Sequence, residues 1–104
     1  MYNLVETESF SQWLGSLKDR TTRARLLLRL NKAALGNLGD AKSLGDEAWE
    51  MREFFGPGWR MYYILQGNTV IMMLGRGCKS TQAKDIERTK ALAKELENEQ
   101  NSSL

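Results

Sequence analysis

The sequence lacks histidine altogether and contains a single cysteine, Cys78. Histidine is the usual general base at neutral pH and the commonest metal ligand, so its absence argues against a zinc centre. Cys78 has no second Cys or His to work with, so we do not expect it to be a nucleophile or a ligand. We therefore expect no metal and no cofactor, and any acid–base chemistry must come from carboxylates, Tyr, Lys or Arg.

Disulfides and long apolar runs are also missing. Small secreted domains usually carry several disulfides, and one cysteine cannot form any within the chain, so we expect a cytoplasmic location. No apolar run approaches the roughly 18 residues of a membrane-spanning helix. Glu6 and Glu8 stand where a signal peptide would be basic and then apolar, so we expect no leader.

What is present fits one folded domain. The chain has 104 residues, of which 41% are hydrophobic and 27% charged, with a formal net charge of +2. This length suits a single domain, and the apolar fraction is high enough for a buried core. We assign residues 1–104 to one domain and expect the polar residues 97–104 to fray.

Hydrophobic periodicity predicts an α+β fold in the order β-α-α-β-β-β-α. The elements are a strand at 2–5, helices at 9–17 and 22–35, strands at 49–54, 59–65 and 70–74, and a helix capped by Ser80. Residues 36–45 read as a linker, and Gly67-Asn68 suits a two-residue hairpin loop. We expect a helical hairpin and a C-terminal helix packed on a small, mainly antiparallel, twisted sheet.

The second helix carries a row of cations. Arg25, Arg29 and Lys32 fall at i, i+4 and i+7, so they share one narrow face, which we name the basic stripe. A solvated helix edge is the simpler interpretation, because charged residues are mostly surface residues. A contact with a polyanion is the more specific one.

Two motifs resemble a known family. One reads Phe-Gly-Pro-Gly-Trp-Arg-Met-Tyr-Tyr at 55–63, and the other reads Lys-Ser-Thr-Gln-Ala-Lys-Asp-Ile at 79–86. Together they are similar to the RelE/ParE toxin superfamily, in the HigB-like branch of addiction module killer proteins. The resemblance covers nearly the whole chain. One departure is that Gly75-Arg76-Gly77-Cys78 stands where the family commonly has Gly-Gly-Asp before the motif Lys.

The resemblance implies the toxin of a bacterial or phage type II toxin–antitoxin pair with a RelE-like fold. Such a toxin cleaves mRNA, usually at the ribosome, and is silenced by a bound antitoxin, here expected to be a small helix-turn-helix protein. A ParE-like inhibitor of a protein target such as DNA gyrase is the alternative, and a plain RNA-binding module is a third. Purely structural or surface roles for the motif residues also remain open.

Without histidine, cations must carry most of the RNA chemistry. Donors aimed at the developing negative charge are usually the largest catalytic term. The candidate catalytic residues are Arg52, Arg60, Lys79 and Tyr62, and the candidate RNA-binding residues are Arg76, Arg25, Arg29 and Lys32. Lys79, between a strand end and a helix start, is a candidate general base or proton shuttle.

Strand alternation places these residues relative to one another. Arg52 shares a face with Glu50 and Phe54, and Arg60 shares one with Tyr62, so adjacent strands would bring the two guanidiniums together. Salt-bridged surface arginines are the simpler interpretation, with Glu50 or Glu53 as partners of Arg52.

Other motif residues are expected to be structural. Gln82 and Asp85 lie in the first turns of the last helix, where an acid is favoured by the helix dipole. Trp49 and Trp59 could stack on bases, although burial in the core is the commoner fate of such residues.

Overall fold

The computed structural model of the protein describes residues 1–77 and 81–102, with side chains as far as residue 96. The elements in chain order are β1 (Asn3–Glu6), α1 (Glu8–Ser16), α2 (Arg20–Ala34), β2 (Ala41–Gly45), β3 (Ala48–Arg52), β4 (Arg60–Gln66), β5 (Thr69–Arg76) and α3 (Gln82–Ser102). This confirms the predicted α+β class. The predicted cap of the last helix, Ser80, lies outside the described residues.

One five-stranded mixed sheet forms the centre of the fold, with the strand order β1-β5-β4-β3-β2. β2 to β5 form an antiparallel meander, and β1 pairs with β5 in parallel. The predicted Gly67-Asn68 hairpin joins β4 to β5 as expected. β4 and β5 both lie inside the sheet, as the continuous apolar run in β5 predicted.

The prediction of a linker at 36–45 is wrong, because β2 occupies half of it. β2 is an edge strand in which Lys42 and Ser43 are exposed and no residue is buried. An edge strand with so little apolar surface gives almost no hydrophobic pattern, so only its pairing with β3 defines it. The observed order is therefore β-α-α-β-β-β-β-α.

Capping residues fix where the first two helices begin. The Thr7 hydroxyl accepts the Phe10 backbone N–H, and the Asp19 carboxylate accepts the Thr21 backbone N–H. Each bond satisfies one of the amide groups that lack a partner in the first turn of a helix.

The helices cover both faces of the sheet. α1 and α2 pack on one face, where Phe10, Leu26 and Met61 are fully buried. α3 packs on the other, where Tyr62 and Ile64 are fully buried. The sheet is thus the middle layer of three, and its central strands are apolar on both sides.

A bulge in β5 redistributes its side chains. Tyr62 pairs with Leu74 but Tyr63 pairs with Met72, so Met73 is an extra residue. Met72 consequently joins the core on the α1–α2 face, whereas Met73 and Leu74 join the core beneath α3.

Candidate nucleic-acid interface

Three arginines lie side by side at one end of the sheet. Arg52 of β3 pairs in register with Arg60 of β4, and Arg60 pairs with Arg76 of β5. Directly opposed residues in antiparallel strands have Cβ atoms about 5 Å apart. The predicted juxtaposition of Arg52 and Arg60 is confirmed, and Arg76 extends it to a third strand. We name these three residues the arginine row.

Each cation of the row has its own carboxylate, which offsets the repulsion between like charges in opposed positions. Arg52 Nη2 lies 3.3 Å from Asp40 Oδ1. Arg60 Nε lies 3.7 Å from Glu50 Oε2. Arg76 Nε donates to Asp85 Oδ1 at 3.1 Å. The expected partners of Arg52 are therefore corrected, because Glu50 faces Arg60 and Glu53 binds Arg29.

Exposure differs along the arginine row. The side chains of Arg52 and Arg76 are 39% and 44% exposed, whereas that of Arg60 is 11% exposed. The Arg52–Asp40 pair is exposed on both sides, so it contributes little and exchanges readily, whereas Arg76 keeps its bond to the buried Asp85 and can share the other N–H donors of its guanidinium. The two outer arginines can therefore accept an additional anion while Arg60 stays fixed between them.

A buried acid holds Arg60 from below. Glu50 is 1% exposed, and its Oε2 accepts a hydrogen bond from Gln82 Nε2 at 3.0 Å. Gln82 begins α3, so this bond ties the start of the helix to β3 beneath the arginine row. The contact agrees with the structural role predicted for Gln82.

Asp85 ties the same helix to β5. Its Oδ1 accepts from Arg76 and its Oδ2 accepts from the Thr81 hydroxyl at 2.8 Å. The helix dipole is therefore only part of the role of Asp85. Its carboxylate also binds Arg76 of β5, a strand that the sequence alone does not place beside α3.

Tyr62 shares the face of Arg60, as predicted, but it is fully buried beneath α3. Burial and the adjacent Glu50 carboxylate raise the pKa of Tyr62 above its ordinary value, which makes it a weaker acid. A wholly buried hydroxyl does not reach an RNA, so we assign Tyr62 a packing role instead of the catalytic one suggested by its sequence position.

Lys79 and Cys78 lie outside the described residues, between β5 and α3. Arg76 is the last residue of β5 and Gln82 the first of α3.

The basic stripe lines a surface depression of about 330 Å³. Arg25 and Lys32 are exposed, but Arg29 is largely buried and makes four hydrogen bonds. Its acceptors are the backbone oxygens of Leu38, Asp40 and Arg52 and the carboxylate of Glu53. Arg29 therefore belongs to the framework, and only Arg25 and Lys32 keep the predicted access to a polyanion.

A second depression, of about 350 Å³, lies beside the arginine row. It is lined by Arg52, Arg60 and the loop that joins β3 to β4. Phe54, at 83% exposed, projects from this loop. Phe54 was not among the predicted site residues, although its position two residues after Arg52, on the same predicted strand face, was a usable signal. Trp49 and Trp59, which it did weigh, pack against the core.

Two further properties concern metals and membranes. Within residues 1–77 and 81–102, no three His, Cys, Asp or Glu side chains are grouped as a metal would require. The helices in this described part of the chain include none with the length and apolar character needed to span a bilayer.

Comparison with known proteins shows one clear relationship. The chain is 40% identical over 90 residues to an uncharacterized protein of Haemophilus influenzae, an alignment covering 86% of this chain and 91% of the relative. At this identity and coverage the chain belongs to the same family as the Haemophilus influenzae protein. No family model matches the chain. No solved structure matches it at a significant level.

Proposed function

We propose that the protein is the toxin of a type II toxin–antitoxin pair, with a RelE-like fold, and that it cleaves mRNA at the arginine row. The observation that carries the proposal is the register of Arg52, Arg60 and Arg76 across three adjacent strands. Guanidiniums bind phosphate oxygens in bidentate fashion, so a row of three suits the backbone of a nucleic acid. The two family-like motifs supply the class of reaction.

The cleavage follows from attack of a ribose 2′-hydroxyl on the adjacent phosphate. The reaction must remove the hydroxyl proton, stabilise a dianionic phosphorane-like transition state and protonate the leaving 5′-oxygen. Arg60, held by Glu50 and Gly58, is the preorganised donor to the developing charge. Arg52 and Arg76 bind the flanking backbone, and Lys79 serves as general base or proton shuttle.

The proposed partners follow from the same class. The antitoxin is expected to be a helix-turn-helix protein encoded next to this chain, and the substrate is mRNA on the ribosome. Finding no small helix-turn-helix reading frame beside the gene would count against the pair.

The experiment incubates purified protein with translating ribosomes and maps new mRNA 5′ ends, with a gyrase supercoiling assay in parallel. We expect new ends and unchanged supercoiling. Arg60→Ala and Lys79→Ala should each lower cleavage by roughly 10²-fold or more, the value of one transition-state donor. Arg20→Ala, an exposed arginine at the start of α2, is the matched control.

The other outcomes are equally informative. Inhibited supercoiling without new 5′ ends would indicate the ParE-like alternative, and protected RNA without new ends would indicate a binding module. If both variants fold by circular dichroism and cleave as fast as the parent, the proposed site is wrong.

A further inference from the structure

The loop at 53–59, which we name the aromatic loop, is fixed at its base. The Glu53 backbone N–H donates to Trp59 O at 2.9 Å, and the Gly58 N–H donates to Phe55 O at 3.2 Å. The Glu53 carboxylate also receives a 2.6 Å bond from Arg29 of α2. These bonds hold the two ends of the loop together and join it to a helix.

Phe55 and Phe54 differ sharply within this loop. The guanidinium of Arg25 lies 3.9 Å from the centre of the Phe55 ring, and Phe55 packs against the core. Phe54 is 83% exposed. Scattered exposed apolar residues are normal on protein surfaces, so exposure alone has no functional meaning. Phe54, however, is held out by anchored neighbours and lines a depression with two cations.

The size and lining of this depression suit a nucleotide. Its volume of about 350 Å³ falls in the range of small-molecule sites, roughly 300–1,000 Å³. Gly56 and Gly58 line it without side chains, at φ values of 59° and 83°. A flat group can therefore approach the backbone beside Phe54. Arg52 and Arg60 place positive charge at the same depression.

We propose that Phe54 stacks on a nucleobase of single-stranded RNA whose phosphate lies against Arg52 and Arg60. The inference rests on the proposed function, since it assigns a base-binding position to the same site. An aromatic face and adjacent guanidiniums match the two halves of a nucleotide, the base and the phosphate. Stacking tolerates any base, so Phe54 sets the position of the strand rather than its sequence.

The experiment measures binding of a short oligouridine with 2′-O-methyl riboses and a central 2-aminopurine, which cannot be cleaved because its 2′-oxygens are blocked. Phe54→Ala should weaken binding by about 5- to 150-fold, the range for loss of one stacked base. It should also abolish the quenching of 2-aminopurine fluorescence. Phe54→Trp should preserve both. Leu35→Ala, at another exposed apolar residue, is the matched control.

Two further measurements separate stacking from charge. The salt dependence of binding should keep the parent slope in Phe54→Ala, because no cation is removed. An oligonucleotide of the same length with abasic sites at every position should bind the parent and Phe54→Ala equally, because no base is left to stack. A changed slope, or an undiminished difference on abasic RNA, would overturn the assignment.

Cleavage on programmed ribosomes distinguishes this inference from the proposed function. If the parent cleaves mRNA and Phe54→Ala matches it in cleavage and RNA binding, the stacking position is wrong while the function stands. If the parent neither binds RNA nor produces new ends, both are wrong. A Phe54→Ala defect confined to binding of a partner protein would also overturn the RNA assignment.

Discussion

The side chain of Arg29 lies 2.6 Å from that of Glu53, and this ion pair joins α2 to the start of the aromatic loop. The same guanidinium donates to the backbone oxygens of Arg52 and Asp40. It therefore fixes the end of β3, from which Arg52 projects, and the segment that carries the carboxylate partner of Arg52. One helical residue thus supports both the arginine row and the loop of Phe54.

Arg29→Ala should destabilise the protein by about 3 kcal/mol, because it removes the donor from a largely buried carboxylate and from the backbone oxygens of Leu38 and Arg52. Arg29→Lys should restore little of the lost stability, because both terminal nitrogens of the planar guanidinium donate hydrogen bonds and a single ammonium group cannot replace them. Arg25→Ala on the same helix is the control and should cost about 0.5–1 kcal/mol, the value of an exposed cation–π contact. Urea unfolding measures all three, and equal losses for Arg25 and Arg29 would contradict the framework role.

The turn between β2 and β3 contains unfavourable backbone conformations. Asp46 and Glu47 both have positive φ, at 54° and 65°, as a two-residue hairpin loop of this kind requires. Asp tolerates the left-handed region better than Glu does. Glu47→Gly should therefore stabilise the protein by about 0.5–1 kcal/mol, after the entropy cost of glycine is subtracted from the strain relieved.

Glu47→Ala is the control for that prediction, because it removes the exposed side chain without relieving the backbone. We expect no gain from it. Thermal and urea unfolding should rank Glu47→Gly above the parent and Glu47→Ala at or below it. Equal stability of the glycine and alanine variants would show that the positive φ carries no cost.

How far the sequence predicts this fold depends on how much apolar surface each element buries. The apolar run in β5 and the amphipathic stretches of α1 and α2 were recognisable, because their periodicity is set by burial. β2 was not, because an exposed edge strand has nearly no such pattern. The bulge at Met73 was also hidden, since its cause is pairing with β4 rather than local sequence.

In the candidate site, too, the features set by local sequence pattern were predictable and those set by tertiary contacts were not. Alternation within β3 and β4 correctly brought Arg52 and Arg60 together, because strand faces follow from counting residues. The carboxylate partners did not follow, since Asp40 and Asp85 reach the arginine row from segments whose placement is tertiary. Helical spacing likewise grouped Arg29 with the basic stripe, but only the neighbouring loops determine that it is largely buried.

Gly75 leaves no room for a side chain. A Cβ there would lie 2.2 Å from the ring of Trp13 on α1, so the helix packs directly on the backbone of β5. Gly75→Ala should destabilise the protein by about 1–3 kcal/mol, the usual cost of overpacking. Trp13→Leu should reduce that penalty in a double-mutant cycle, because the smaller side chain removes the clash.

Gly15→Ala is the control for Gly75→Ala, and we expect it to change the stability in the opposite direction. Nothing lies within 4 Å of a Cβ at Gly15, which is within α1, so alanine should stabilise the helix by up to about 1 kcal/mol. Calorimetric melting of the four variants and the parent tests both signs. Independent, additive effects of Trp13→Leu and Gly75→Ala would refute the contact.

Two buried tyrosines should make the protein unstable at high pH. Burial raises the pKa of Tyr63 to about 12 and also raises that of Tyr62 above its ordinary value of 10.0. Above pH 10 the unfolded chain loses these protons while the folded chain keeps them, so the free energy of unfolding falls as the pH rises. Each tyrosine contributes about 1.4 kcal/mol per pH unit in that window, and the pair about twice as much.

The comparison for the tyrosines is the double variant Tyr62→Phe and Tyr63→Phe, measured by urea unfolding from pH 8 to 11. Above pH 10 its stability should fall less steeply than that of the parent. The lysines are the same in both proteins, so their contribution cancels in the comparison. Near pH 8 the two proteins should differ little in stability, because the hydroxyl of Tyr63 makes no hydrogen bond within the described residues and that of Tyr62 faces only the Glu50 carboxylate. Parallel pH profiles would mean that neither tyrosine stays protonated in the folded state.

The basic stripe should bind RNA by charge alone and take no part in cleavage. Arg25 and Lys32 are its exposed members, so their joint replacement by Ala removes about two phosphate contacts. The log–log dependence of binding on salt for single-stranded RNA has a slope of about −0.7 per phosphate, so it should flatten by about 1.4. Cleavage of saturating substrate should survive.

The double variant Arg88→Ala and Lys94→Ala, exposed on α3, removes the same charge elsewhere and is the matched control for the stripe. Its salt slope on an uncleavable RNA should equal that of the parent, because a change in net charge alone releases no counterions from the bound strand. If the stripe variant shows both the parent slope and the parent affinity for the antitoxin, Arg25 and Lys32 form an ordinary solvated helix edge. If its RNA slope is unchanged but its affinity for the antitoxin falls, the stripe binds an acidic antitoxin segment instead, since complementary charge at an interface acts on that partner alone.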